Sequence, residues 1–85
     1  MMNKEHEAFV ITMEECGELI QACSKMIRSG GKKRYRMNLQ DEAGDVLAMI
    51  QILKNMGLLC EDLLQARVAY KNEKLKLYSG LFDAE

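Results

Sequence analysis

Three glutamates, Glu14, Glu15 and Glu18, lie within five residues of a stretch that otherwise has the pattern of an apolar helix. At about 100° per residue, Glu15 falls within a band of apolar positions and Glu18 at its border, whereas Glu14 turns toward the polar side. The band consists of Ala8, Ile11, Leu19, Ala22 and Met26. Residues three apart on a helix have Cβ atoms roughly 5–6 Å apart, so Glu15 and Glu18 can close on a single cation.

A second pair of acids, Glu42 and Asp45, has the same spacing on another apolar arc. Either pair alone is equally well explained by a solvated helix face, or by acids that favour the start of a helix. Neither explanation accounts for both pairs together. Ionised carboxylates on apolar faces are costly unless they are paired or metal-bound, and few cations lie on these arcs. The two pairs therefore predict one metal site, formed by Glu15, Glu18, Glu42 and Asp45.

Carboxylate oxygens as the only ligands favour a hard cation, Mg²⁺ first and Mn²⁺ second, over zinc. A di-iron carboxylate bundle would carry Glu-x-x-His pairs, and the only histidine, His6, follows no glutamate at that spacing. We expect His6 to be an exposed residue of the first turn. An EF-hand would hold its acids in a twelve-residue loop, whereas these acids lie within helical patterns. Cys16, Cys23 and Cys60 lack the paired spacing of a zinc site, so reduced, buried thiols are expected.

Three helices are predicted in this chain of 85 residues, which has no proline, and the first two carry these acids. The expected helices run from about Glu5 to Ser29, from Asn38 to about Met56, and from about Glu61 to Tyr78. Gly30-Gly31 ends the first, and Asn38 with Asp41 three residues on has a capping-box-like pattern at the start of the second. The main apolar stripe of the first helix consists of Phe9, Met13, Cys16, Ile20, Cys23 and Ile27. Strong β-strand signals are absent, so an all-α fold is expected.

The third helix has apolar residues on two nearly opposite sides. One side holds Leu63, Ala66, Tyr70 and Leu77, and the other holds Leu64, Val68 and Leu75. A hairpin of three helices cannot easily cover both sides, and so short a chain buries a small share of its surface. We therefore expect a single domain over residues 1–85, a helical hairpin or bundle of three main helices. Homo-oligomerisation, as a dimer or a tetramer, is expected to complete a four-helix-bundle-like core.

The overall composition excludes several classes of protein. Nearly half of the residues are apolar and the net charge is -1, which argues against disorder and against general binding to nucleic acid or anionic membranes. No apolar run approaches 18 residues, and the N-terminal residues lack the pattern of a signal peptide. A cytoplasmic protein with neither membrane nor nucleic acid as a partner is expected.

The motif Glu14-Glu15-x-x-Glu18, separated by 23 residues from Glu42-x-x-Asp45, resembles the signature of the MazG-like, all-α nucleoside triphosphate pyrophosphohydrolases. The segments EECGELIQACSK and QDEAGDVLAMIQIL look like the two motif helices of that family, and ARVAYKNEKLKLY is similar to its Lys-Asn-rich third helix. The resemblance implies Mg²⁺-dependent cleavage between the α- and β-phosphates, which yields a nucleoside monophosphate and pyrophosphate. It implies that the two acid pairs are the metal ligands. Glu14, next to Glu15 and turned toward the polar side, is the candidate either for accepting the proton of the attacking water or for orienting Glu15.

Binding of a triphosphate also requires positive charge from the protein. The connection SGGKKRYRMN supplies Lys32, Lys33, Arg34 and Arg36, and the third-helix pattern of the family points to Lys71, Asn72 and Lys74. Each of these residues is also explained as an ordinary surface residue. Many similar proteins carry a lysine where this chain has Asn38, so the basic connection is a candidate substitute. Tyr35 is the aromatic residue expected to be free to meet a ligand.

The sequence thus predicts an Mg²⁺-dependent hydrolase of nucleoside triphosphates that acts in cleansing or control of the nucleotide pool. The alternative enzyme is phosphoribosyl-ATP pyrophosphohydrolase of histidine biosynthesis, which uses similar acid motifs. An alternative of another class is a non-catalytic helical interaction or regulatory module. The YKNEKLKLY segment favours the first enzyme, and the presence of all four acids argues against a loss of catalysis.

Overall fold

A computed structural model describes residues 3–84 and contains three helices and no strand within that range. Helix α1 spans Lys4–Ser29, α2 spans Lys33–Asn55 and α3 spans Glu61–Tyr78. The predicted all-α class is confirmed for these residues, while Met1, Met2 and Glu85 lie outside them. None of the three helices has both the length and the apolar character needed to cross a membrane.

Helix α1 begins and ends close to where the sequence predicts. The Asn3 side chain accepts a hydrogen bond of 2.7 Å from the backbone N–H of His6, which is an N-cap contact. At the other end, Gly30 has a φ of 69° and its N–H bonds to the carbonyl of Ile27. The left-handed conformation costs glycine little, so Gly30 ends the helix where a residue with a side chain would be strained.

The predicted start of α2 at Asn38 is wrong, because the helix begins five residues earlier, at Lys33. No glycine or proline separates Gly31 from Asn38, and lysine and arginine are good helix formers, so nothing delays the helix after the Gly30-Gly31 stop. Asn38 is therefore an interior residue, and its amide donates a hydrogen bond of 3.5 Å to Oε1 of Glu42. The basic stretch predicted to connect the first two helices instead forms the first turns of α2.

Helices α1 and α2 pack along each other as an antiparallel hairpin around a small core. The buried apolar residues are Ala8, Ala22, Met49 and Leu53. On α1, the side that packs is therefore the band around Glu15. The main apolar stripe of α1 faces solvent in the single chain, where Met13 is 72% exposed and Ile27 is 84% exposed. The three cysteines are free as predicted, but they are exposed rather than buried.

Helix α3 has no buried residue and makes few contacts with the hairpin. An ion pair between Lys54 and Glu61 links it to the end of α2, and an open groove of about 480 Å³ runs between α2 and α3. A compact chain of this length has a radius of gyration of about 12 Å. The observed value is 15.6 Å, so the isolated chain is extended and much of its apolar surface is uncovered.

Candidate metal centre

The four predicted acids come together in the middle of the hairpin. Glu15 and Glu18 from α1 and Glu42 and Asp45 from α2 each place one carboxylate oxygen so that all four oxygens lie within 4.8 Å of one another. One feature of the sequence and one of the packing produce this arrangement. The spacing of three residues puts each pair on one helix face, and the hairpin packs these two faces together. We refer to the four residues as the acid cluster.

Two oxygens of the acid cluster lack any hydrogen-bond partner. Oε2 of Glu15 and Oε2 of Glu42 are buried and unpaired, although both side chains are only half-buried as a whole. Glu18 and Asp45, the other members, are exposed. Buried polar atoms are normally satisfied by protein or water, so two orphaned carboxylate oxygens in one cluster are a feature that a bound cation would satisfy.

The protein itself supplies little positive charge to the acid cluster. Within residues 3–84 the ion pairs are Lys54 with Glu61 and Lys76 with Glu73, and neither involves the cluster. Asn38 contributes a neutral hydrogen-bond donor, because its side-chain amide donates to Oε1 of Glu42. Carboxylates this close together repel one another, and a neutral amide does not offset that repulsion.

The electrostatics of the acid cluster raise the pKa of two members. Burial is the main cause of the raised pKa of Glu15, and the negative charges of Glu18 and Asp45 add to it. The pKa of Glu42 is raised first because the Glu18 carboxyl lies close enough to share a proton with it, and second by burial. Without a cation, the folded protein therefore resists full ionisation of the cluster.

The donor atoms of the acid cluster suit a hard divalent cation. All four are carboxylate oxygens from rigid helices, without a histidine or cysteine among them, which favours Mg²⁺ or Mn²⁺ over zinc. The two orphaned oxygens are the atoms that such a cation would satisfy. The residues present therefore fit the predicted ion.

In comparisons with known proteins, no family model matches this chain, and neither the curated proteins nor the solved structures give a significant match.

The other predicted site residues lie outside the acid cluster. Glu14 is exposed on α1, next to Glu15 in the chain. On α3, all three candidates for substrate binding are exposed, namely Lys71, Asn72 and Lys74. Because α3 packs only loosely on the hairpin, the single chain leaves these three side chains free of the cluster.

The remaining two substrate candidates, Lys32 and Arg34, lie at the beginning of α2. Arg34 stacks over the ring of Tyr35 at 4.6 Å and donates a hydrogen bond of 2.6 Å to its hydroxyl group. Tyr35 is half-buried in the first turn of α2 and is not in a loop. Tyr35 therefore lies in a helix rather than in the connection between helices, and its freedom to meet a ligand stays a prediction.

Sequence reasoning missed two residues that the structure places beside Lys32 and Tyr35. Lys25 and Arg28, from the end of α1, line the same pocket. The sequence contains a signal for Lys25. Lys25 follows Glu18 by seven residues, which is close to two full turns, so both lie on the same side of α1.

Proposed function

We propose that this chain is a cytoplasmic, Mg²⁺-dependent nucleoside triphosphate pyrophosphohydrolase. It would convert a nucleoside or deoxynucleoside triphosphate to the monophosphate and pyrophosphate, in cleansing or control of the nucleotide pool. The single observation that carries the proposal is the acid cluster, with four carboxylate oxygens within 4.8 Å and two of its oxygens orphaned. The resemblance of its two motifs to the MazG-like signature supplies the reaction type.

The proposed mechanism assigns the ion to the acid cluster. Bound there, Mg²⁺ would neutralise phosphate charge, polarise the α-phosphorus and lower the pKa of the attacking water. Glu15 and Glu42, which are half-buried, and Glu18 and Asp45, which are exposed, would hold the ion. The exposed side is the one from which a triphosphate can approach.

Glu14 is the candidate for the proton transfer. It is exposed and adjacent to Glu15, so it can accept a proton from a water at the solvent side of the acid cluster and pass it to bulk solvent. In the alternative role, it orients Glu15. Lys71, Asn72, Lys74, Lys32 and Arg34 remain the candidates for contacts to the phosphates.

A substrate panel tests the proposed function directly. Purified protein is incubated with each common nucleoside and deoxynucleoside triphosphate, and separately with phosphoribosyl-ATP, in the presence of Mg²⁺. We expect a monophosphate and pyrophosphate from at least one triphosphate, and no product when EDTA replaces Mg²⁺. Turnover of phosphoribosyl-ATP alone would select the alternative enzyme. Orthophosphate as the only inorganic product would contradict the proposal. No turnover of any compound would contradict it and favour a non-catalytic helical module.

We also propose that the chain functions as a homo-oligomer, a dimer or a tetramer with a four-helix-bundle-like core. Support comes from the exposed main stripe of α1, where Ile20 is 70% exposed and Ile27 is 84% exposed. A contiguous apolar stripe is unusual on a monomer, and a symmetric copy presents a stripe of the same chemistry. The core of the single chain consists of few buried side chains, so a second copy would add the burial that it lacks.

Changing Ile20 to lysine is expected to dissociate the oligomer. By light scattering, the unchanged protein should show two or four times the chain mass of 9.7 kDa, and Ile20→Lys should move toward 9.7 kDa. The physical reason is that a charge would be buried without a partner at the interface. Gln21→Lys is the matched control, because it adds the same side chain one residue away, outside the stripe. A stable, folded protein of 9.7 kDa before any substitution would contradict the proposal.

A further inference from the structure

A basic pocket lies where α1 ends and α2 begins. Its volume is about 430 Å³, and it is lined by Lys25, Arg28, Ser29, Lys32 and Tyr35. Three of the five residues are cations and none is an acid. Neither ion pair within residues 3–84 involves them, so the positive charge of the basic pocket is uncompensated by the described residues. A volume in this range matches that of small-molecule sites.

The start of α2 adds to the positive potential of the basic pocket. Lys32 is the N-cap residue, it makes no side-chain capping bond, and the first turn of the helix contains no acid. Natural helix starts usually carry a capping oxygen or an acid, because the N-terminal end of a helix is electropositive. Here lysine and arginine take those positions instead. These cations and the electropositive start of the helix repel each other, and an anion bound in the pocket would relieve that repulsion.

The basic pocket and the acid cluster lie along the same seam of the hairpin. Lys25 comes seven residues after Glu18, and Tyr35 comes seven residues before Glu42, which is about 10.5 Å along each helix. Between them the seam carries the buried Ala22, which is 1% exposed, together with Asn38. Because these two side chains are short and the pocket cations are long, the charged ends of Lys25 and Arg28 can approach a molecule held at the cluster.

We propose that the basic pocket binds the terminal phosphates of the nucleoside triphosphate whose reacting α-phosphate lies at the acid cluster. This inference rests on the proposed function. A triphosphate has far more charge than an ion at one end can neutralise, and the acids themselves repel phosphate. The base is uncharged, so placing it in the pocket would leave three cations unused. The charge of the pocket therefore sets the orientation of the substrate.

This orientation also gives the basic pocket a role in the reaction. The water oxygen forms a bond to the α-phosphorus, and the bond from that phosphorus to the bridging oxygen breaks. The bridging oxygen takes the electron pair and leaves with pyrophosphate, while the proton of the water goes to a base at the cluster. Cations held beside the departing pyrophosphate stabilise charge that grows in the transition state.

Binding of inorganic tripolyphosphate in EDTA tests the pocket without requiring turnover. Without a metal ion the acid cluster repels the anion, so calorimetry reports binding to cations of the protein, and the variants separate the basic pocket from the others. The double variant Lys25→Gln, Arg28→Gln should weaken binding at least about tenfold, because charge-assisted hydrogen bonds are lost. Lys76→Gln, which removes an exposed lysine outside the pocket, should leave the binding of tripolyphosphate unchanged. Circular dichroism checks that the variants stay helical, and Tyr35→Phe gives a second change of the pocket that preserves its shape.

Kinetics with Mg²⁺ then links the pocket to the substrate. Tripolyphosphate should inhibit hydrolysis competitively, and the double variant should lose at least about tenfold in kcat/KM together with that inhibition. Non-competitive inhibition would indicate a separate anion site and overturn the inference. Unchanged tripolyphosphate binding by the double variant would overturn it even if the wild-type protein hydrolyses triphosphates. Absence of turnover beside pocket-dependent anion binding would instead overturn the proposed function.

Discussion

Replacing Glu15 by glutamine is expected to abolish hydrolysis while leaving the helices intact. The amide has the shape of the carboxylate but neither its charge nor its affinity for a hard cation, so the acid cluster loses one of its two half-buried carboxylates. A loss of several kcal/mol of transition-state charge stabilisation corresponds to at least about a hundredfold in rate. The measurement is the initial rate of pyrophosphate release at saturating Mg²⁺, with circular dichroism to verify the fold.

Glu5→Gln is the matched control for this change. Glu5 is an exposed glutamate of the same helix, in its first turn and away from the acid cluster, so the chemical substitution is the same. Its activity should stay within about twofold of the unchanged protein. Full activity of Glu15→Gln would show that the cluster does not hold the catalytic ion.

Magnesium is expected to stabilise the protein strongly at neutral pH and weakly in acid. At a hundred times its Kd, a ligand of the folded state adds about 2.7 kcal/mol to the free energy of unfolding. For a domain of this size, that corresponds to a rise in Tm of more than about 10 °C. The cation must displace protons whose pKa values are raised at Glu15 and Glu42, so the rise in Tm should be smaller at pH 5 than at pH 7.5.

Without metal, the same two carboxyls give stability the opposite dependence on pH. Because their folded-state pKa values exceed the ordinary 4.5, their contribution is fully present below about pH 4.5 and is lost as the pH rises through the raised values. Glu42→Gln should therefore raise the Tm of the metal-free protein at pH 7.5 and flatten its dependence on pH. It should also reduce the response to Mg²⁺.

Comparing variants isolates this effect from other titrating groups. Glu61 has a lowered pKa, mainly through its hydrogen bonds to Lys54 and Gln65, and so its contribution to stability runs the other way. That contribution is present both in Glu42→Gln and in the unchanged protein, and it cancels in the difference. A metal-free Glu42→Gln that melts lower than the unchanged protein at pH 7.5 would contradict the predicted repulsion within the acid cluster.

The acid cluster could be predicted from the sequence because helical spacing and the position of the turn determine most of it. Two acids spaced by three residues share a helix face whatever the tertiary structure, and the Gly30-Gly31 stop fixes where the hairpin turns. The limits of α1 and α3 could be predicted from the spacing of their apolar residues and from the glycines that follow the helices. The start of α2 did not, because the Asn38 and Asp41 pattern looks like a cap although no residue before it interrupts the helix.

Periodicity could not decide which face of α1 packs against α2. The helix has two adjacent apolar faces, and the predicted burial of Cys16 and Cys23 required the main stripe to be covered. In the single chain the smaller face packs instead, through Ala8 and Ala22. Small residues let two helices approach closely, a tertiary effect that a count of apolar positions does not register. The basic pocket was missed for a related reason, because its residues come from two helices whose register is set by that packing.

The loose attachment of α3 divides the isolated chain into two units of unequal local stability. The hairpin has a core, whereas α3 buries no residue, and a partly exposed ion pair such as Lys54 with Glu61 contributes about 1 kcal/mol or less. Opening of α3 therefore costs much less free energy than opening of the hairpin. Its backbone amides will exchange with solvent through local fluctuations, while amides at the centre of α1 and α2 exchange only when the hairpin comes apart.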